Sequence, residues 1–147
     1  LVGSEMCIRD SSPTADTTLT IPSTARSAIT VGAYDPRLSS YASFSGRGYT
    51  RILHEIKPDL AAPGVNIPAP RSGGGYASFT GTSFATPFVS GSAALMMEWG
   101  ILRGNDPFLY GEKLKAYLIA GAKPIASESE YPNRRVGWGE DVIIRLH

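Results

Sequence analysis

The chain has 147 residues, enough for one modest domain. Hydrophobic residues make up 42% and charged residues 18%, the balance of a globular protein and not of a disordered one. A net charge of +1 offers no basic surface for nucleic acid or an anionic membrane, and the longest apolar run, residues 91–97, is interrupted by Gly and Ser and falls short of a bilayer span.

In chain order, Ile29, Val31 and Ala33 alternate with Thr30, Gly32 and Tyr34, which predicts a half-buried strand. Residues 59–62 predict a short buried strand stopped by Pro63-Gly64. Residues 72–75 form a flexible Ser-Gly-Gly-Gly turn, and residues 76–80 a short extended piece. A helix is predicted from Ser83 to about Trp99, with Ala85, Val89, Ala93 and Met96 or Met97 on one stripe and Gly100 as its C-terminal cap. Pro87 falls in its first turns, where a missing N–H costs least. A second helix is predicted with Asp106 as N-cap and Pro107 at its first position, running to about Ala120. Its apolar face is Leu109, Leu114, Tyr117 and Leu118, with Lys113 and Lys115 on the solvated side. Strands separated by helices indicate an α/β architecture with a mainly parallel sheet.

Gly81-Thr82-Ser83 is the point where chemistry enters. It places a hydroxyl at a helix N-terminus, where unpaired N–H groups and the positive end of the helix dipole favour a negative charge. A tetrahedral acyl-transfer intermediate carries such a charge on its oxyanion, which makes Ser83 a candidate nucleophile. The competing reading is a helix cap, since Ser and Thr are preferred there.

Four ordered segments decide between these readings. Gly81-Thr82-Ser83-Phe84-Ala85-Thr86-Pro87-Phe88-Val89-Ser90-Gly91 resembles the catalytic-serine signature of the subtilisin-like serine peptidases, the subtilases. Lys57-Pro58-Asp59-Leu60-Ala61-Ala62-Pro63-Gly64-Val65, Ser27-Ala28-Ile29-Thr30-Val31-Gly32-Ala33 and Tyr41-Ala42-Ser43-Phe44-Ser45-Gly46-Arg47-Gly48 are similar to the segments that precede it in that family, in the same order. Gly104-Asn105-Asp106 through Lys115, with Tyr131-Pro132-Asn133 and Gly137-Trp138-Gly139, is most similar to the clostridial Csp-type branch. The similarity covers about residues 18–140.

The resemblance implies a three-layer subtilisin-like α/β fold of which this chain is the C-terminal portion. Residues 13–147 then form the C-terminal part of a catalytic domain, and residues 1–12 resemble a translated sequencing adapter set apart from the fold. The sole cysteine, Cys7, lies in that adapter-like stretch. As implied by the family, the activity is that of a serine endopeptidase working through an acyl-enzyme. Ser83 is its nucleophile, the backbone N–H of Ser83 is one oxyanion donor, and Thr20, Gly81 and Thr82 contact a polypeptide substrate. Thr20 stands where the family often has Gly, and would either narrow the pocket for the P1 side chain in favour of smaller or unbranched residues or simply continue an extended loop. Asn66 and Tyr76 lie near the site in a structural role.

No segment here resembles the family's D-[ST]-G, H-G-T-H or A-x-G-N motifs, which precede the serine in chain order. His54 reads as an exposed loop histidine, and His147 is the last residue. The upstream part of the same domain is therefore the expected partner, and the chain alone is expected to be inactive. No cofactor and no metal site are expected in it, calcium being a feature of the full-length enzyme that draws on upstream segments. By the same resemblance the source is bacterial and the location secreted or spore-associated. The alternative is a non-catalytic subtilase acting as a binding or signalling module.

Overall fold

The computed structural model describes residues 16–141; the adapter-like residues 1–12 and His147 lie outside the described residues. Strand β1 (Val31–Asp35) is central in a three-stranded sheet of order β2-β1-β3. It pairs in parallel with β3 (Leu60–Pro63), from Val31 opposite Leu60 to Tyr34 opposite Pro63, and antiparallel with the two-residue β2 (Ser40–Tyr41). Residues 139–141 extend the sheet beyond β3 through a parallel bridge between Ala61 and Glu140. A separate hairpin pairs β4 (Ile67–Pro70) with β5 (Tyr76–Phe79), and its tip is the predicted glycine turn. Helix α1 (Thr82–Met97) continues into a π-helical turn, Glu98–Leu102, and α2 (Gly111–Ala120) follows. The architecture is α/β, as the order of elements predicted.

Successive side chains of a strand point to opposite faces, and both faces of this sheet are covered. Ala33, Leu60 and Ala62 pack on one side with Ala85 and Val89 of α1 and Leu114 and Leu118 of α2. Tyr34 and Ala61 pack on the other with Ile125 and Val136. The β1 segment is thus buried rather than half-buried: alternation in its sequence reflects two different packing layers, not a wet face.

The predicted stripe of α1 holds: Ala85 and Val89 are buried, Ala93 and Met96 pack against the same core, buried Ser92 lies beside them, and Met97 is exposed. Three other helix expectations are corrected. Gly100 is not a cap. It lies buried within the π-helical turn, where a Cβ would come within 2.8 Å of Leu109 Cδ2, so its missing side chain makes room for a core leucine. The second helix begins at Gly111 and not at Asp106-Pro107. Gly111 has φ +58°, which breaks right-handed helical continuity, and the Asp106 carboxylate is engaged by Lys113 Nζ at 2.6 Å instead of capping. On α2, Tyr117 is exposed and Lys115 is not solvated, as described below.

Gly64 links the sheet to the serine turn. A Cβ there would lie 2.6 Å from Ala33 Cβ and 3.1 Å from Gly81 O. Both neighbours are rigid, so Gly64→Ala is expected to destabilise the protein by about 1–3 kcal/mol. The thermal unfolding midpoint checks this, and an unchanged midpoint would show that the turn yields freely.

Candidate active site

Ser83 is the second residue of α1, exposed, and its hydroxyl makes no hydrogen bond to any of the described residues. The N-cap is Gly81, with no side-chain cap bond, so Ser83 does not serve as the cap. Gly81 has φ +157° and ψ +158°, a region essentially confined to glycine. A Cβ there would meet only ordinary contacts with the Phe84 ring. Its glycine is required by conformation, not by close approach. The Gly81 N–H donates to Gly64 O at 2.8 Å, and Phe84 N–H closes the turn on Gly81 O at 3.1 Å. The Phe84 ring stacks on Phe79 of β5, centroids 5.1 Å apart and planes 13° from parallel, which fixes the first turn of the helix on the hairpin.

The electrostatics of this helix end are simple. No acidic residue lies in the first turn of the helix to offset its positive end. The N–H groups of Thr82 and Ser83 precede the first intrahelical bond and have no acceptor within the helix. Pro87 has no N–H to give to the Ser83 carbonyl, and Thr86 Oγ1 bonds to Thr82 O at 3.1 Å.

Ser83, Thr82 and Thr86 open into a cleft of about 520 Å³. Thr20 lines the same cleft, together with Thr18 and Leu19, while Ile29, Val31, Phe44 and Pro58 add apolar surface. Among the described residues no charged residue and no histidine lines it. Three of the four predicted site residues thus meet in one cavity, and the fourth, Gly81, supports the turn behind them. His54 is exposed at φ +49° in a turn outside the cleft. Asn66 N–H bonds to Thr80 Oγ1 at 3.0 Å and Tyr76 is exposed; neither lines the cavity. Among the described residues no three His, Cys, Asp or Glu side chains converge as metal ligands do.

Beside the cleft is a charge cluster that the sequence did not reveal. Lys57 is almost wholly buried, and its Nζ lies 2.7 Å from Asp59 Oδ2. Lys115, expected on the solvated side of α2, reaches Asp59 Oδ1 at 2.8 Å with its side chain only 16% exposed. Burial pushes the Lys57 ammonium below its ordinary pKa, and the hydrogen bond and charge of Asp59 oppose that shift.

Residues 6–139 match the subtilase family. The chain belongs to that family. This subtilase chain is 35% identical over 124 residues to the serine protease AprX of Bacillus subtilis, covering 71% of the chain and 26% of AprX. The structure of the Clostridium perfringens CspB protease superposes with a TM-score of 0.85 at 47% identity, over 91% of this chain and 28% of that one. The prenylagaramide maturation protease PagA superposes with a TM-score of 0.68 at 32% identity, over 90% of this chain and 47% of PagA. The subtilase fold is therefore present in part, and the chain spans roughly a quarter of AprX and of CspB. No helix among the described residues is long and apolar enough to cross a membrane.

Proposed function

We propose that this chain is the serine-bearing part of a subtilase endopeptidase. Ser83 is its nucleophile, and the observation that carries the reading is a hydroxyl bonded to none of the described residues, at a helix N-terminus with no side-chain cap and no acidic residue in its first turn, facing a cleft. Ser83 Oγ attacks the scissile carbonyl carbon as its proton passes to an imidazole contributed from outside these residues. The oxyanion is met by the Ser83 N–H and a second donor from outside the chain. Collapse breaks the C–N bond, the amine leaves with the proton, and water then hydrolyses the acyl ester. Thr20 narrows the part of the cleft that takes the P1 side chain, favouring small or unbranched residues.

Among the described residues no base lines the cleft beside Ser83, and the chain alone is inactive in this reading. A missing side-chain oxyanion donor alone costs about 2.7–4 kcal/mol of transition-state stabilisation, a scale borrowed from subtilisin, itself a subtilase. The test is to amplify the source locus, express the full coding sequence and the 147-residue chain, and compare hydrolysis of casein and a P1 peptide panel. Hydrolysis by the full-length protein alone, with small P1 residues preferred, is the expected result. An inert full-length protein with its Asp or His motif replaced would make the protein a non-catalytic binding module.

A further inference from the structure

The segment before β1 supplies Thr20, Pro22, Ser23, Ala28, Ile29 and Thr30 to the cleft that holds Ser83. It joins the sheet only from Val31 onward, so most of it has no strand partner. Lysine ammonium groups take that place. Lys57 Nζ donates to Ala28 O at 2.7 Å, and Lys115 Nζ donates to Arg26 O at 2.9 Å and Ala28 O at 3.1 Å. Both ammonium groups close on Asp59, one on each carboxylate oxygen. Asp59 Oδ2 also accepts the Thr30 N–H at 2.7 Å. Thr30 Oγ1 donates to Ser23 O at 2.5 Å, and the Ser23 N–H and hydroxyl both turn back to Thr20 O. An unbroken chain of polar contacts therefore runs from α2 to the residue that narrows the cleft.

We propose that Lys115 is a positioning residue that sets the cleft for the substrate side chain, a role that rests on the reading of Ser83 above. Lys57 and Asp59 form a one-to-one buried pair. Lys115 is the second cation, and the Arg26 and Ala28 carbonyl dipoles share it with the carboxylate. Removing Lys115 leaves the Lys57–Asp59 pair and its bonds to Ala28 O and Thr30 N–H intact, and loosens the cleft-lining segment at Arg26 and Ala28. The serine turn is anchored separately, by Gly81 N–H on Gly64 O and by the Phe84–Phe79 stack. Substrate binding then loosens while the intrinsic reactivity of Ser83 stays the same.

The experiment uses the full-length protein with Lys115→Met, Lys115→Gln and Lys115→Arg. Peptide kinetics are read beside the rate of Ser83 modification by methanesulfonyl fluoride, a reagent too small to fill the cleft. Lys115→Met is expected to raise KM about tenfold with kcat within about twofold and the modification rate unchanged, and Lys115→Arg to recover most of the loss. If Lys115→Met does not fold, Lys115→Gln keeps a donor without the charge and carries the same expectation. An unchanged KM in a variant whose Ser83 is still modified overturns the role of Lys115. Equal losses in kcat and modification rate overturn it too, because the effect then reaches the nucleophile. Failure of the wild-type protein to be modified at Ser83 overturns the underlying reading of the site.

Discussion

Ser83→Ala is expected to abolish hydrolysis by the full-length protein and leave its stability unchanged. The activity loss should be about a millionfold in kcat, a scale borrowed from the nucleophile of subtilisin, a member of the same family. The stability change should stay within about 0.5 kcal/mol, as for an exposed residue without a structural bond. The second half of the expectation follows from the helix terminus. A serine that caps a helix costs about 0.5–2 kcal/mol when replaced by alanine. Here Gly81 occupies the cap position and the Ser83 hydroxyl bonds to none of the described residues, so alanine removes no structural contact seen among them. Activity and thermal unfolding of one variant thus separate the two readings of the residue. A fall in unfolding midpoint with activity retained would make Ser83 a structural residue and sink the nucleophile.

The place of Ser83 at a helix N-terminus was legible because its signal is local: a glycine-hydroxyl turn opening a small-residue helix. The strand cores around Ala33 and Ala61 were legible from equally local signals, one an alternating run and the other a short apolar run ended by turn residues. Strand β4 was hidden by Pro68 and Pro70, which lower strand propensity; a two-stranded hairpin tolerates them because much of its edge needs no ladder donor. Gly100 and Gly111 carried real information that local rules misread, Gly100 as a cap and Gly111 as interior to a helix begun at Asp106. One makes room for Leu109 and the other sets a left-handed turn, both consequences of how the connection between α1 and α2 folds back. Lys115 is the clearest failure. Beside Leu114 on a short helix it looks like a solvent-facing charge, and its partners Asp59, Arg26 O and Ala28 O are remote in sequence. Helical periodicity cannot register a partner contributed by another layer of the fold. The neighbouring Lys57-Pro58-Asp59 run was recognised as a pattern, but the pattern did not disclose that its two charges are buried against each other.

That burial makes Asp59→Asn the substitution with the largest expected effect on stability. The Asp59 carboxylate accepts from Thr30 N–H, Lys57 Nζ and Lys115 Nζ, with its side chain 6% exposed. Asparagine keeps the shape and one acceptor but removes the carboxylate that pairs with both ammonium groups. Breaking a buried pair in this way costs about 3–5 kcal/mol, because the remaining charge stays desolvated. The loss should be read in a Ser83→Ala background, so that self-digestion does not obscure unfolding. Its pH dependence has a definite sign. Burial already lowers the Lys57 pKa below 10.5, and Asp59 opposes the shift. Without the carboxylate the folded-state value falls further. Between that value and 10.5 the unfolded chain binds more protons than the folded one, so stability from this group rises with pH. The deficit of Asp59→Asn should accordingly shrink as pH is raised from neutrality toward the ordinary lysine range. A variant within about 1 kcal/mol of its parent, or a deficit that grows with pH, would show that water reaches these ammonium groups and that the cluster is not the buried clamp described above.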